Sequence, residues 1–209
     1  MIKVVLCDDH AMVRRGIRDT LSEAVDIQVV GEAGSYSEVR EVLRNADCNV
    51  LILDLNLPGR GGLEVLATLR EGGSAVRVLI CSMFAEDQYA IRCLRAGAQG
   101  YLNKAGEPAE LIEAVRTIAQ GRKYVTAAVS QMLVDNLSSP TSEALHDTLS
   151  ERELQTLQKI ASGKRLSDIA EELMLSPKTV SVYRSRVLEK LKLSNSAELT
   201  VYAIRNSLV

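Results

Sequence analysis

The sequence contains no tryptophan, and aromatic residues make up only 3% of its 209 positions. A protein that binds single-stranded nucleic acid by stacking bases on aromatic side chains is therefore not expected. No apolar run approaches the roughly 20 residues that cross a bilayer. Because the first ten residues, MIKVVLCDDH, turn acidic early and lack the apolar centre of a signal peptide, we expect a cytoplasmic protein.

The sequence also lacks a C-x-x-C motif, although it contains four cysteines. This spacing favours buried thiols over a metal or redox site. Neither sign of charge dominates the chain, whose net charge is −2. The charge is unevenly distributed, however: residues 1–124 carry −2, residues 125–147 carry −3 and residues 148–209 carry +3. We therefore expect only the C-terminal third to contact a polyanion.

Five short apolar runs are present in the first 124 residues: IKVVLC (2–7), IQVVGEA (27–33), NVLILDL (49–55), VRVLICS (76–82) and QGYLN (99–103). Segments with helical periodicity separate them, which is typical of βα units and a parallel sheet covered on both faces. The pattern predicts an α/β domain with a flavodoxin-like, doubly wound (βα)5 sheet.

A polar segment, DNLSSPTSEALHD (135–147), has the composition of a linker, and only helical patterning follows it. We predict a first domain over residues 1–124, a linker over 125–147 and an all-α domain of four helices over 148–209. Domain boundaries of this kind are uncertain by a few residues.

Carboxylates end two of the predicted strands, Asp8 and Asp9 the first and Asp54 the third. In a doubly wound sheet these strands can be neighbours, so the three groups converge at one edge. Like charges at close range repel unless a cation joins them, and Mg2+ prefers carboxylate, water and phosphate oxygens. The alternative is that each aspartate caps a helix or turn.

Ser82 ends the fourth run and Lys104 follows the fifth, where a hydroxyl and an ammonium group would complement an anion. The combined set predicts a place for Mg2+ and a phosphoryl group together. The sequence disfavours a phosphohydrolase that turns over an external substrate. Such an enzyme would need a second acid two residues after Asp54, and Asn56 stands there instead.

The motifs LCDDH (6–10), LILDLNLPGRGG (51–62), ICS (80–82) and AGAQGYLNK (96–104) together resemble the receiver domain of bacterial two-component response regulators. The resemblance implies that Asp54 is the phosphoacceptor. It implies a Mg2+ site formed by Asp9, Asp54, the backbone carbonyl of Asn56 and, through water, Asp8. It also assigns the phosphoryl-binding and switch residues, which are Ser82, Lys104 and Tyr101. Many receivers have proline after this lysine, whereas Ala105 follows here.

The C-terminal segment contains a helix-turn-helix pattern, in which Ser176 and Pro177 mark the start of its third helix. Residues 178–192 carry five basic residues and one acid, and Lys178, Val182, Ser185 and Glu189 face away from the core stripe. Such a helix suits the major groove of DNA. The alternative is an ordinary solvated surface helix.

The motifs LSERELQTL, IAEEL and LSPKTVSVYRSRVLEKL resemble the LuxR-type helix-turn-helix of NarL/FixJ response regulators. This resemblance places Ser181, Val182 and Ser185 toward base edges of double-stranded DNA. Its candidates for phosphate contacts are Lys178, Thr179, Tyr183, Arg184, Arg186 and Lys190, with the alternative that a few of them face neighbouring helices. Many members have histidine where Tyr183 stands. The last helix, SAELTVYAIRNSL, is expected either to complete the core or to form a homodimer on DNA.

The leading hypothesis is a transcription regulator that a partner histidine kinase phosphorylates on Asp54, without turnover of an external substrate. A second hypothesis is a DNA-binding regulator whose receiver works without phosphate and binds a partner. Comparing DNA affinity with and without a phosphate mimic would discriminate between them.

Overall fold

The computed structural model describes residues 1–138, 145–206 and 208–209. The chain divides into two compact units, Met1–Ser139 and Pro140–Val209. Residues 139–144 of the predicted linker lie outside the described residues, and the predicted domain boundaries stay predictions. No helix in the described part of the chain is both long and apolar enough to cross a bilayer.

The first unit contains a five-stranded parallel sheet in the order β2-β1-β3-β4-β5. Its strands are β1 (Ile2–Cys7), β2 (Ile27–Ala33), β3 (Val50–Leu53), β4 (Arg77–Ser82) and β5 (Gly100–Asn103). Each strand lies within one of the five apolar runs, so the prediction of a flavodoxin-like, doubly wound sheet is confirmed. All four residues of β3 are buried, as expected for a central strand with both faces covered.

Five helices alternate with these strands: α1 (Ala11–Ser22), α2 (Tyr36–Asn45), α3 (Gly62–Glu71), α4 (Glu86–Arg95) and α5 (Pro108–Ala119). One face of the sheet packs against α1 and α5, where side chains such as Ile52, Leu79 and Val115 form a buried apolar cluster. Helix α2 contacts β1 and β2, and α4 contacts β5. Since the strands are parallel, their carboxyl ends meet at one edge.

A sixth helix, α6 (Ala127–Ser138), lies inside the linker predicted over residues 125–147. The Thr126 hydroxyl accepts a hydrogen bond from the Val129 amide at 3.3 Å and donates one to Glu86 Oε2 at 2.5 Å. Val129 is buried, and α6 packs against α4. Regular structure in the first unit therefore continues beyond residue 124.

The second unit contains a 3₁₀ turn (Leu145–Thr148) and the helices α7 (Glu151–Ala161), α8 (Leu166–Glu172), α9 (Pro177–Leu191) and α10 (Ser196–Arg205). Ser150 and Glu153 form the capping box at the start of α7. Ser176 caps α9 by accepting a hydrogen bond from the Thr179 amide at 3.1 Å. These elements confirm the prediction of an all-α C-terminal domain with a helix-turn-helix.

Candidate functional site

Three carboxylates lie together at the carboxyl edge of the sheet. Asp8 and Asp9 follow β1 and Asp54 follows β3, and donor atoms from these residues and from His10 all lie within 4.8 Å of one another. The Asp54 amide donates a hydrogen bond to the Cys7 carbonyl at 2.8 Å, which continues the pairing of β1 with β3. Asp8 and Asp54 are each only 3% exposed. The structure thus brings the predicted acidic residues into one buried cluster.

Lys104 supplies positive charge to this cluster. Its Nζ lies 2.6 Å from Asp8 Oδ2 and 2.9 Å from Asp54 Oδ2. Burial raises the pKa of Asp54 and the Asp8 charge adds to this effect, while the lysine opposes both. For Lys104, burial acts to lower the pKa, but the two carboxylates outweigh it and the pKa is raised. Lysine and phosphoacceptor candidate therefore form a buried ion pair.

In the described part of the chain, two carboxylate oxygens of the cluster, Asp8 Oδ2 and Asp9 Oδ1, have only ion-pair contacts, with Lys104 at 2.6 Å and with His10 at 2.7 Å. Among the described residues, no hydrogen bond of good geometry reaches Asp8 Oδ2 or Asp9 Oδ1, although Lys104 and His10 lie close to them. Buried polar atoms nearly always have partners, and grouped carboxylate oxygens are the ligands that Mg2+ prefers. The residues present therefore fit a magnesium ion.

The loop after Asp54 is held closely between β3 and α3. The Gly62 amide donates a hydrogen bond to the Leu55 carbonyl at 2.8 Å. A β-carbon on Gly62 would lie 2.2 Å from the Asp54 carbonyl oxygen, so only glycine fits this approach. Gly59 has a φ of +76°, which completes the sharp turn after Pro58. The backbone of Asn56, which donates a hydrogen bond to the Asp54 carboxylate, lies beside the cluster.

Ser82 and Tyr101 are both 1% exposed. The Tyr101 hydroxyl donates a hydrogen bond to the Phe84 carbonyl at 2.9 Å, and the Asn103 side chain donates to the same carbonyl at 3.1 Å. The Phe84 amide in turn donates to Ser82 Oγ at 3.3 Å. Burial raises the pKa of Tyr101. The loop between β4 and α4 is therefore connected to both predicted switch residues, and Tyr101 points inward.

Ala105 follows Lys104 at the position where many receivers have proline, and its backbone is held by a hydrogen bond. The Ala105 amide donates a hydrogen bond to Asn103 Oδ1 at 2.8 Å. Proline has no amide hydrogen and could not make this bond.

The exposed face of α9 carries most of the residues that the sequence places on DNA. Ser176, Lys178, Thr179, Val182, Tyr183 and Arg186 line one open groove. Val182 is 43% exposed although it is apolar, and Ser181 and Ser185 are exposed on the same side. These side chains form a continuous surface of mixed basic, hydroxyl and apolar character.

Two of the predicted phosphate contacts have partners within their own unit. Arg184 Nε donates a hydrogen bond to Ser196 Oγ at 2.8 Å. Lys190 Nζ lies 2.6 Å from Glu153 Oε2 and donates to the Thr148 carbonyl at 3.2 Å. These bonds direct both side chains toward neighbouring elements, and their contact with DNA stays a prediction that the geometry does not favour.

Helix α10 has apolar residues that the described residues of its own unit leave exposed. Leu199 and Ala203 are buried, whereas Val201 is 48% exposed and Ile204 is 62% exposed. Single exposed apolar residues are common, but two on one helix suggest a surface for association.

Comparisons with known proteins agree with this arrangement. Residues 4–116 match the family model of the response regulator receiver domain, and residues 147–203 match that of bacterial regulatory proteins of the luxR family. Over all 209 residues the chain is 38% identical to the response regulator GacA of Pseudomonas protegens, covering 98% of that protein. The chain belongs to the NarL/FixJ family of response regulators.

This response regulator is also 36% identical to UvrY of Escherichia coli, covering the whole chain and 96% of that protein. Among solved structures it resembles RcsB of Salmonella typhimurium, with 27% identity, a TM-score of 0.59 and coverage of 96% and 97% of the two chains. A further RcsB structure, bound to promoter P1flhDC in the presence of phosphomimetic BeF3−, has 26% identity and a TM-score of 0.61 over 96% and 97% of the chains. The family is that of DNA-binding transcription regulators of two-component systems.

Proposed function

We propose that a partner histidine kinase phosphorylates this response regulator on Asp54 and thereby controls its binding to double-stranded DNA. The observation that carries the proposal is the buried cluster in which Asp54 lies beside Asp8, Asp9 and Lys104, on a chain that also has a LuxR-type DNA-binding unit. No turnover of an external substrate is expected, since the phosphoryl group stays on the chain until it is hydrolysed.

Phosphorylation begins with attack by an Asp54 carboxylate oxygen on phosphorus. The new oxygen–phosphorus bond forms as the bond to the donor's leaving group breaks, which gives an aspartyl phosphate. Lys104, already 2.9 Å from Asp54 Oδ2, pairs with the transferred group, and the Ser82 hydroxyl donates a hydrogen bond to it. Both residues offset negative charge that the buried site could not otherwise hold.

The metal ligands proposed for Mg2+ are the Asp9 and Asp54 carboxylates and the Asn56 backbone carbonyl, with Asp8 acting through water. When bound, the ion neutralises charge on the transferring oxygens. The carboxylates lie on strand ends that pair with each other, so folding places them before any ligand arrives.

A direct test is incubation of the full chain with acetyl phosphate and Mg2+, followed by intact mass measurement. We expect Asp54→Asn to abolish the added phosphoryl mass, because the amide is not a nucleophile. Asp47→Asn is the matched control, since Asp47 is an exposed acid paired with Lys3 at 2.8 Å, and it should be modified normally. Undiminished uptake by Asp54→Asn would show that the phosphoacceptor is another residue.

We propose that phosphorylation biases a two-state receiver through Ser82, Phe84 and Tyr101. Support comes from the bonds that join the β4–α4 loop to these residues, and from the RcsB complex formed with promoter DNA in the presence of BeF3−. The alternative regulator, which ignores phosphate, predicts equal DNA affinity with and without BeF3−. Fluorescence anisotropy with labelled double-stranded DNA would separate the two.

We propose that α9 enters the major groove, with Ser181, Val182 and Ser185 toward base edges. Lys178 and Arg186, exposed at the groove on α9, serve as phosphate contacts, as do Thr179 and Tyr183. The Val182 side chain can contact a thymine methyl group.

The phosphate contacts can be tested through the salt dependence of DNA binding. Lys178→Ala and Arg186→Ala should each weaken binding to all sequences and flatten the plot of log affinity against log salt by about 0.9. Arg184→Ala is the matched control, because its guanidinium bonds to Ser196, and it should leave the slope unchanged. An unchanged slope in all three variants would refute the proposed docking of α9.

We also propose that the protein forms a homodimer on DNA through the exposed apolar residues Val201 and Ile204 of α10. The structure of two RcsB dimers bound to two parallel DNAs, 26% identical to this chain with a TM-score of 0.60 over 96% and 97% of the chains, supports association as a dimer on DNA.

A further inference from the structure

His10 lies at the carboxylate cluster, yet phosphoryl transfer gives it no role. Its Nδ1 is 2.7 Å from Asp9 Oδ1 and 3.5 Å from Asp8 Oδ1, and its backbone amide donates a hydrogen bond to Asp8 Oδ1 at 2.8 Å. One of its ring nitrogens lies within 4.8 Å of a carboxylate oxygen of Asp8, of Asp9 and of Asp54. The donor atoms at this edge of the sheet therefore include nitrogen as well as oxygen.

An imidazole changes which metals a carboxylate site prefers. Mg2+ is a hard cation that takes oxygen ligands, whereas Co2+, Ni2+ and Zn2+ bind imidazole readily. For a site with mixed nitrogen and oxygen donors, affinity generally rises along the first transition row toward copper. The addition of one imidazole thus favours these cations over Mg2+.

The His10 side chain is placed where it can take up such a cation. It is 60% exposed, whereas the Asp8 and Asp9 side chains that it contacts are 4% and 11% exposed, so the ring lies on the solvent side of these carboxylates. His10 is the N-cap residue of α1, but its side chain makes no capping hydrogen bond. Movement of the ring onto an ion therefore disturbs neither the helix nor the core.

We propose that His10, together with the Asp9 and Asp54 carboxylates, forms a mixed nitrogen–oxygen site for a first-row transition cation such as Co2+ or Zn2+. Binding replaces the contact between His10 and Asp9 with two metal–ligand bonds, and the ligating nitrogen gives up any proton to solvent. Because Asp9 and Asp54 also belong to the ligand set proposed for Mg2+, the two cations exclude each other. The inference rests on the proposed function and adds competition between cations at the phosphoacceptor.

The test measures binding of Co2+ and of Mg2+ to the full, untagged chain by calorimetry, in wild type and in His10→Asn. The chain has only two histidines, so His146→Asn is a matched control. We expect His10→Asn to lower Co2+ affinity by about tenfold or more and to change Mg2+ affinity by less than about twofold. His146→Asn should bind both ions as wild type does.

A second readout does not depend on affinity. With 15N-labelled histidine, a stoichiometric amount of paramagnetic Co2+ should broaden or shift the His10 ring resonances and leave those of His146 sharp. An unchanged ratio of Co2+ to Mg2+ affinity in His10→Asn, or sharp His10 resonances with Co2+ bound, would overturn the inference.

Binding of Mg2+ to Asp54→Asn distinguishes a failure of the proposed function from a failure of the inference about His10. If Asp54→Asn bound Mg2+ as tightly as wild type, the magnesium site at the phosphoacceptor would be wrong, and the joint Asp9–Asp54–His10 site would be wrong with it. If Asp54→Asn weakened Mg2+ binding while His10→Asn left Co2+ binding unchanged, the function would stand and the inference alone would fail.

Discussion

Lys104 is the one ammonium group that contacts the carboxylate cluster in the described part of the chain, and its removal should destabilise the first unit strongly. Its side chain is 7% exposed, and its partners Asp8 and Asp54 are 4% and 3% exposed. Removing one partner from a buried ion pair typically costs about 3–5 kcal/mol, because a buried charge stays behind. Lys104→Met leaves two such charges, and an apolar side chain of similar length keeps the packing.

The matched control is Lys3→Met, which breaks an ion pair of similar length. Lys3 Nζ lies 2.8 Å from Asp47 Oδ2, but the side chains are 38% and 78% exposed, so water screens the pair. Such surface pairs contribute about 0–1 kcal/mol. The comparison therefore separates burial of charge from loss of an ion pair as such.

Hydrogen exchange of the β1 and β3 amides, measured by mass spectrometry in buffer with a chelator, reports opening of the first unit alone. At about pH 7, a loss of 3–5 kcal/mol should accelerate the slowest amides by roughly two to four orders of magnitude in Lys104→Met. Lys3→Met should accelerate them by less than about one order of magnitude. If the two variants exchanged alike, the buried-pair reasoning would be refuted.

The loss of stability in Lys104→Met should also depend on pH. Burial already raises the pKa of Asp54, and the lysine is what opposes this rise, so its removal raises that pKa further. A carboxyl group with a raised pKa contributes stability below its unfolded pKa and loses it as the pH rises through the folded value. The deficit should therefore shrink as the pH falls toward about 4. Adding Asp54→Asn to Lys104→Met should recover part of the stability at neutral pH.

Two further substitutions test other features of the structure. Gly62→Ala should destabilise the first unit by at least about 2 kcal/mol and slow phosphoryl uptake, because its β-carbon meets the Asp54 carbonyl oxygen. The control is Gly16→Ala, whose β-carbon has nothing within 4 Å and which should stabilise α1 by about 1 kcal/mol. Urea unfolding measures both changes in stability, and equal effects would contradict the steric argument. In sedimentation of the protein with DNA and BeF3−, Ile204→Glu should abolish dimers on DNA. The control is Val25→Glu, at a residue that is 92% exposed, which should still form them. Dimers that persist in Ile204→Glu would exclude α10 as the interface.

The arrangement of the carboxylate cluster could be predicted because the end of a strand can be recognised from the local sequence, and the ends of parallel strands lie together in the fold. Asp8 and Asp54 each follow an apolar run, and parallel strands of a doubly wound sheet end at the same edge. The same reasoning placed Ser82 and Lys104 there. The helices of the second unit were predictable because Ser150 and Ser176 are strong capping signals.

Features that depend on contacts between distant segments could not be predicted in this way. Helix α6 forms on the surface of α4, and the polar composition after it suggested a linker, although Thr126 before an apolar stretch is a helix-start signal. Helical periodicity identified the outward face of α9 but not that Arg184 and Lys190 have partners on other elements. The proximity of His10 to Asp54 likewise depends on the pairing of β1 with β3.

The Phe84 carbonyl accepts two hydrogen bonds, from Tyr101 and from Asn103, and an oxygen of this kind has only two lone pairs. A displacement of this one atom breaks both hydrogen bonds together, and a typical hydrogen bond contributes about 0.5–1.5 kcal/mol. The tyrosine and the asparagine are therefore coupled to the β4–α4 loop through one shared acceptor. In the proposed switch, a displacement of the Phe84 carbonyl would reach Tyr101 and Asn103 together.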